Sequence, residues 1–250
     1  MQAPATPFFR TDLFVPRYRP LQSGAWRLSV TATCLSPGYW SGPTLAVGMA
    51  ALARDGASWM STTPLEVESQ ETGIRAASGH VLIFGLGLGW AAAATACRPA
   101  VERVTVVEAD SDLLALHREL DVFGQLPEPA RSKLSVVEGD AYRYEPDDAV
   151  DLLMPDIWLP LISDGRVDEV RRMQANVRAR SVYFWGQELE IARHAIAAGR
   201  ALAADDIAAT AAEFGLPLAG LDSPDYPQRL GAAARRWIRG RWLPGSPQPW

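Results

Sequence analysis

Residues 81–89 read VLIFGLGLG, and the reading of this stretch decides the fold. Val81 to Phe84 is a short unbroken apolar run, the pattern of a strand covered on both faces. Gly85, Gly87 and Gly89 follow, and the Ala-rich segment Trp90 to Ala96 reads as a buried helix ended by Arg98-Pro99. The uncharged stretch Val81 to Cys97 approaches the length of a membrane span, but three glycines interrupt it. A strand, a glycine turn and a helix explain it better. Glycines at such a turn let the backbone approach a ligand closely, and the helix start offers free N–H groups. The same residues also fit a tight turn that holds nothing.

Outward from this unit the pattern repeats. A second apolar run spans Val101 to Val107, followed by a helix from about Asp112 to Leu120 and a loop from Gln125 to Arg131. Leu134 to Val137 reads as a third strand, Val150 to Met154 as a fourth, Arg166 to Val177 as helix and Ser181 to Trp185 as a fifth strand. Two Ala-rich helices follow from Gln187, another runs over about Gln228 to Arg239, and LPGSPQPW makes a loose tail. Upstream, residues 1–25 read as irregular, Arg27 to Leu35 as a strand, and Thr44 to Met60 as a hairpin turning at Asp55-Gly56. Thr63 caps a helix running to about Ala77, with Pro64 at its first position and Glu66 closing a capping box.

Strands alternating with helices predict right-handed βαβ units and a doubly wound, mostly parallel α/β sheet of Rossmann-like type. The chain divides into an N-terminal β-hairpin layer with a gate helix (1–78), a nucleotide-binding domain (79–200), and a helical C-terminal extension with its tail (201–250). Hydrophobic residues make up 48% of the 250, enough for a substantial core. The net charge of −5, from 24 basic and 29 acidic residues well mixed along the chain, gives no long-range pull toward nucleic acid. Cys34 and Cys97 are too few for a disulfide framework and read as buried small hydrophobes. The first residues lack the pattern of a secretion signal, so a cytoplasmic chain without a membrane partner is expected.

Ligands of such sheets lie beyond the carboxyl ends of the strands, so the residues at those ends carry the chemistry. Glu108 ends the second strand, with Ala109 beside it; a carboxylate there can accept from both hydroxyls of a ribose. It also fits a solvated acid at a strand end. Asp140-Ala141 follows the third strand, where an acid can accept from an adenine amino group and alanine leaves room for the ring. It reads equally as a Gly-Asp turn. Asp156 ends the fourth strand, facing the reacting part of a ligand, with Trp158 placed to stack or wall the pocket. The alternative there is a cap or loop residue.

In this order, VLIFGLGLG, VTVVEAD (104–110), VVEGDA (136–141) and DLLMPDIW (151–158) resemble the class I S-adenosylmethionine-dependent methyltransferases. More narrowly they are similar to the spermidine-synthase-like branch, whose hairpin and gate helix LARDGASWM (52–60) and the following helix resemble. The resemblance implies that Gly85, Leu86, Gly87 and Gly89 pass the methionine part of S-adenosylmethionine and that Glu108 and Ala109 hold the ribose. It implies that Asp140 and Ala141 meet the adenine and that Asp156, also among the cofactor-binding residues, binds or deprotonates the attacking amine. Trp59, Trp158 and, on the gate helix, Glu71 and Glu68 are candidates for contact with a small-molecule acceptor. A homodimer is implied in the same way. The first loop departs from the Gly-Gly-Gly-Asp-Gly of spermidine synthases, and their polyamine contacts do not carry over. The expected reaction is therefore methyl transfer to a small-molecule nucleophile. Aminopropyl transfer from decarboxylated S-adenosylmethionine and a non-catalytic cofactor-binding module are the alternatives.

A nicotinamide dehydrogenase fits less well, because Trp90 stands where the third glycine of G-x-G-x-x-G would be. His80, His117 and His194 lie in no ligand spacing with one another or with a cysteine, so neither a metal site nor a hydrolytic triad is expected.

Overall fold

The structure, a computed structural model, describes residues 6–249. Residues 1–5 of the expected irregular start, and Trp250 of the tail, lie outside the described residues. Four antiparallel strands open the chain: β1 (Leu21–Ser23), β2 (Trp26–Pro37), β3 (Pro43–Arg54) and β4 (Ala57–Ser61), in spatial order β1-β2-β3-β4. Asp55 and Gly56 both have positive φ, 51° and 78°, and turn the chain between β3 and β4 as the sequence predicts. The start is more ordered than expected, since β1 pairs with β2 and Phe8 bridges to Leu45.

Helix α1 (Pro64–Ala76) then leads into the second sheet. The strands β5 (Gly79–Phe84), β6 (Val101–Glu108), β7 (Leu134–Glu138), β8 (Leu152–Pro155) and β9 (Ser181–Val182) are all parallel, in spatial order β7-β6-β5-β8-β9. The helices between them are α2 (Trp90–Ala96), α3 (Ser111–Leu120), the single turn α4 (Glu128–Arg131) and α5 (Arg166–Val177). Three more follow: α6 (Gln187–Ala197), α7 (Ala204–Glu213) and α8 (Tyr226–Trp237), with α7 and α8 packed on α6.

Alternation along β5 explains why its sequence is continuously apolar. Val81 and Ile83 enter a core with Val67 and Ile74 of α1, Trp90 of α2 and Leu113 and Leu116 of α3. Leu82 and Phe84 enter the opposite core, with Val170 and Met173 of α5, Leu189 of α6 and Leu230 of α8. All four strand residues are buried. A sheet with helices on both faces has no solvated side, so period-2 polarity disappears.

Several local expectations need correction. The segment taken as loop from Gln125 to Arg131 contains α4 and ends a 3-10 turn at Val122–Gln125. Pro129 does not prevent α4, because it sits in the first turn, where a missing N–H costs nothing. Regular pairing of the fifth strand is shorter than expected, Ser181–Val182, but the N–H groups of Tyr183 and Trp185 still bond the Leu153 and Pro155 carbonyls of β8 at 3.0 and 3.1 Å before Gly186 opens α6. Cys34 and Cys97 are half-buried rather than buried, and both are free. The capping box is only half made. Thr63 Oγ1 accepts from the Glu66 N–H at 3.4 Å, but the Thr63 N–H goes to Ser61 Oγ at 3.2 Å. The Glu66 side chain is thereby released into the interior, where burial and the neighbouring Asp156 hold its carboxyl well above the ordinary range.

Candidate functional site

A cavity of about 410 Å³ lies at the carboxyl ends of β5, β6, β7 and β8, where the strand order reverses. This is the switch point at which doubly wound sheets take ligands. Its volume is in the range of small-molecule sites, roughly 300–1,000 Å³.

The first wall is the loop after β5. Gly85 has φ +95°, and a Cβ there would stand 2.2 Å from the backbone oxygen of Asp156, so only glycine lets the β5 and β8 ends come together. Glu108 ties this loop to the next strand. Its Oε2 accepts from Leu86 N at 2.9 Å and its Oε1 from Asp110 N at 2.8 Å. The carboxylate is thus held in one orientation at the cavity edge, with lone pairs left for a ligand. Asp110 caps α3 through Oδ1, at 2.9 and 3.0 Å from the N–H groups of Asp112 and Leu113. Its Oδ2 receives Arg54 at 2.5 Å. Asp140 and Ala141 line the side after β7, where Asp140 Oδ1 accepts from Tyr142 N at 2.9 Å.

Asp156 closes the floor. Its N–H bonds the Phe84 carbonyl at 2.8 Å, continuing the β5–β8 pairing, and Gln70 Nε2 of α1 donates to its Oδ2 at 2.7 Å. Burial raises its carboxyl to about 7, against a smaller lowering effect of Arg166. Arg166 offers it no direct bond. That guanidinium is buried and donates to the carbonyls of Trp185 and Pro160 and to Ser163 Oγ. It also stacks on Trp158, 4.0 Å from the ring centroid, while the Trp158 indole N–H goes to Glu169 Oε2 at 2.5 Å. Trp158 is therefore a fixed wall.

The opposite wall comes from the N-terminal sheet: Trp26 of β2, Leu52 and Arg54 of β3, and Trp59 and Met60 of β4. Trp26 and Trp59 meet edge to face with ring centroids 5.6 Å apart, and Arg54 lies 5.4 Å from the Trp26 ring. The Arg54–Asp110 pair then fastens the hairpin to the start of α3.

Of the residues singled out in the sequence, Gly85, Gly87, Glu108, Ala109, Asp140, Ala141, Asp156, Trp59 and Trp158 line this cavity. Leu86 and Gly89 do not. Leu86 is buried in the core and contributes only its backbone N–H to Glu108, and Gly89 packs against His117 and Val122. Glu71 and Glu68 face elsewhere. Glu71 pairs with Arg75 and Arg229, and Glu68 accepts from the N–H groups of Trp40 and Ser41, beside a separate groove with Asp12 and Arg75. Sequence reading missed Met60, Arg54, Asp110 and Gln70, and named Trp26 only among several tryptophans. Asp110 carried a signal, as an acid directly before a helix, but Arg54 and Gln70 reach the site through tertiary pairing alone. Among the described residues no group of His, Cys, Asp and Glu is arranged to hold a metal ion, and no helix is long and apolar enough to cross a membrane.

Comparison with protein-family models and with curated proteins gives no match. Among solved structures, the chain is similar to the glycopeptide N-methyltransferase MtfA in complex with S-adenosylhomocysteine, with 24% identity and a TM-score of 0.33. That match covers 44% of this chain and 42% of MtfA. The methyltransferase domain of a bacterial Hen1 matches at 18% identity and a TM-score of 0.37, over 47% of this chain and 65% of that one. DhpI, in its complex with S-adenosylmethionine, matches at 18% identity and a TM-score of 0.32, over 45% and 47%. In each case the match spans less than two thirds of the solved chain.

Proposed function

We propose that this chain is a transferase that uses S-adenosylmethionine to methylate a small-molecule nucleophile in the cavity at the carboxyl edge of its parallel sheet. The observation that carries the reading is the convergence of Glu108, Asp140-Ala141 and Asp156, from three successive strand ends, on one cavity of about 410 Å³. The donor set suits the ligand. Glu108 is anchored with acceptor capacity to spare, Ala141 is small and buried, and four carboxylates (Glu108, Asp110, Asp140 and Asp156) face one guanidinium, Arg54. Arg54 is paired with Asp110 and Arg143 lies 3.7 Å from Asp140, so Glu108, together with Asp156 above pH 7, is what the cavity offers a cationic ligand. When bound, S-adenosylmethionine supplies a methyl group activated on a cationic sulfur.

The chain's own part is alignment and proton handling. Trp158, fixed between Arg166 and Glu169, and the Trp26–Trp59 pair narrow the space in which a nucleophile can sit and exclude water from it. Asp156, with a carboxyl near 7 and Gln70 fixing one oxygen, holds its other oxygen free to accept a proton from an acceptor that arrives protonated. The similarity to the spermidine-synthase-like branch fits the gate helix that supplies Gln70, but the reading does not depend on it. Incubation with S-adenosylmethionine labelled in its methyl group, against a panel of small amines, phenols and carboxylates, tests the proposal. Label passing to a panel member in wild type and not in Asp156→Ala is expected; wild-type turnover retained by Asp156→Ala contradicts the role of that residue.

A further inference from the structure

One peptide unit of the glycine loop is gripped from both sides. The Gly87 carbonyl accepts from His117 Nε2 of α3 at 2.7 Å, and the Leu88 N–H of the same peptide donates to Met60 Sδ at 2.8 Å. A carbonyl oxygen only accepts, so Nε2 of His117 carries the proton and Nδ1 is bare. Nδ1 is buried without a partner, and burial lowers the imidazole to about 4. His117 is therefore a neutral, permanent donor at ordinary pH. Phe123 at a centroid distance of 6.1 Å and the backbone of Gly89 fix its ring.

Met60 is a different kind of partner. It is half-buried, lines the cavity, and stands directly over Gly87, where a Cβ would lie 2.1 Å from its sulfur. A thioether is a weak acceptor on a side chain with three rotatable bonds. An amide N–H held only by sulfur gains when an oxygen becomes available.

We propose that Met60 is a displaceable stopper on the Gly87–Leu88 peptide: a carboxylate oxygen of the ligand takes the Leu88 N–H from Met60 Sδ, while His117 holds the carbonyl of the same peptide in place. The inference rests on the S-adenosylmethionine reading and deepens it. It makes Met60 a specificity residue that responds to the amino-acid portion of the ligand, and His117 a positioning residue that touches no ligand. Nucleosides without a carboxylate leave Met60 in place.

The test is NMR of wild-type protein carrying labelled amides and methionine methyl groups, titrated with S-adenosylhomocysteine and separately with adenosine. Both ligands are expected to shift the amides of Leu86 and Ala109, and only S-adenosylhomocysteine to shift the Leu88 amide and the Met60 methyl. If neither ligand moves any cavity amide, the cofactor reading fails. If both move Leu86 and Ala109 while Leu88 and Met60 stay fixed with S-adenosylhomocysteine, the stopper is overturned and the cofactor reading stands. Two variants give a second readout. Met60→Leu removes the competing acceptor and should tighten S-adenosylhomocysteine about three- to tenfold, with adenosine unchanged. His117→Phe frees the peptide and should weaken S-adenosylhomocysteine about tenfold, with adenosine within about twofold. Equal changes for both ligands in these variants contradict the assignment.

Discussion

Asp156 concentrates the chemistry of the site in one titration. Because burial raises its carboxyl to about 7, it is protonated below that pH and able to take a proton only above it. If it acts as base, kcat/KM for an acceptor that arrives protonated should rise about tenfold per pH unit below 7 and level off above it. A flat profile across pH 6–8, with the acceptor's own ionisation accounted for, contradicts this. Gly85 sets the geometry beneath. Gly85→Ala adds a Cβ 2.2 Å from the Asp156 oxygen at φ +95°, and should cost more than about 2 kcal/mol in urea unfolding. At this scale the sequence was legible where a residue reaches the cavity from its own strand end, as Glu108, Asp140 and Asp156 do. It was not legible for Leu86, which follows a glycine like its neighbours but turns its side chain into the core. For Glu71, whose other reading was an outward helix face, the structure shows ion pairs with Arg75 and Arg229.

Among elements, the β3–β4 hairpin is the part whose role the sequence hid. Its turn at Asp55-Gly56 was readable because positive φ has a residue signature. Its use as a cavity wall was legible only at Trp59; the parts of Arg54 and Met60 were not, because they depend on how one sheet docks against the other. Arg54 is the fastening point: it leaves β3, lies beside Trp26 and pairs with Asp110, the cap of α3. The pair is partly exposed, so Arg54→Ala should change stability by no more than about 1 kcal/mol. The same substitution should speed ligand dissociation several-fold in stopped-flow fluorescence, because the hairpin then opens more readily. Unchanged dissociation would show that the hairpin is held by other contacts. Helix α1 makes the same point from the other side. Thr63 and Pro64 announced its start, yet Glu66 gave up its expected capping bond and turned inward toward Asp156.

Across the whole molecule, the parallel sheet was the most legible feature, since strands covered on both faces leave continuous apolar runs at 81–84 and 101–107. The fifth strand was legible at Ser181 to Trp185, but the single turn α4 was not, because four residues carry too little pattern. A buried polar cluster joins α1 to the start of α6. Tyr183 donates its hydroxyl proton to the Ser69 carbonyl of α1 at 2.6 Å, and the Tyr183 and Tyr39 hydroxyls each lie 3.3 Å from a Glu188 oxygen. Burial raises Glu188 to about 7, against the smaller lowering effect of those hydroxyls. From about pH 4.5 upward the unfolded chain gives up the Glu188 proton while the folded chain keeps it, so stability is lost as pH rises toward 7. Glu188→Gln has no such proton. Its stability relative to wild type should grow between pH 4.5 and 7 by on the order of 2–4 kcal/mol and stay constant above. Urea unfolding at pH 5 and pH 8 checks this, and a difference independent of pH contradicts it.

The most direct test of the central claim is calorimetric titration of wild-type protein with S-adenosylmethionine, S-adenosylhomocysteine, decarboxylated S-adenosylmethionine and NAD, repeated with Glu108→Ala. The account predicts one site per chain for S-adenosylmethionine and its homocysteine product, weaker binding of the decarboxylated form, and no binding of NAD. It predicts that Glu108→Ala weakens the first two by about 1.5–3 kcal/mol, as expected for hydrogen bonds to a charged group. Binding of NAD alone, or unchanged affinity in Glu108→Ala, would contradict it.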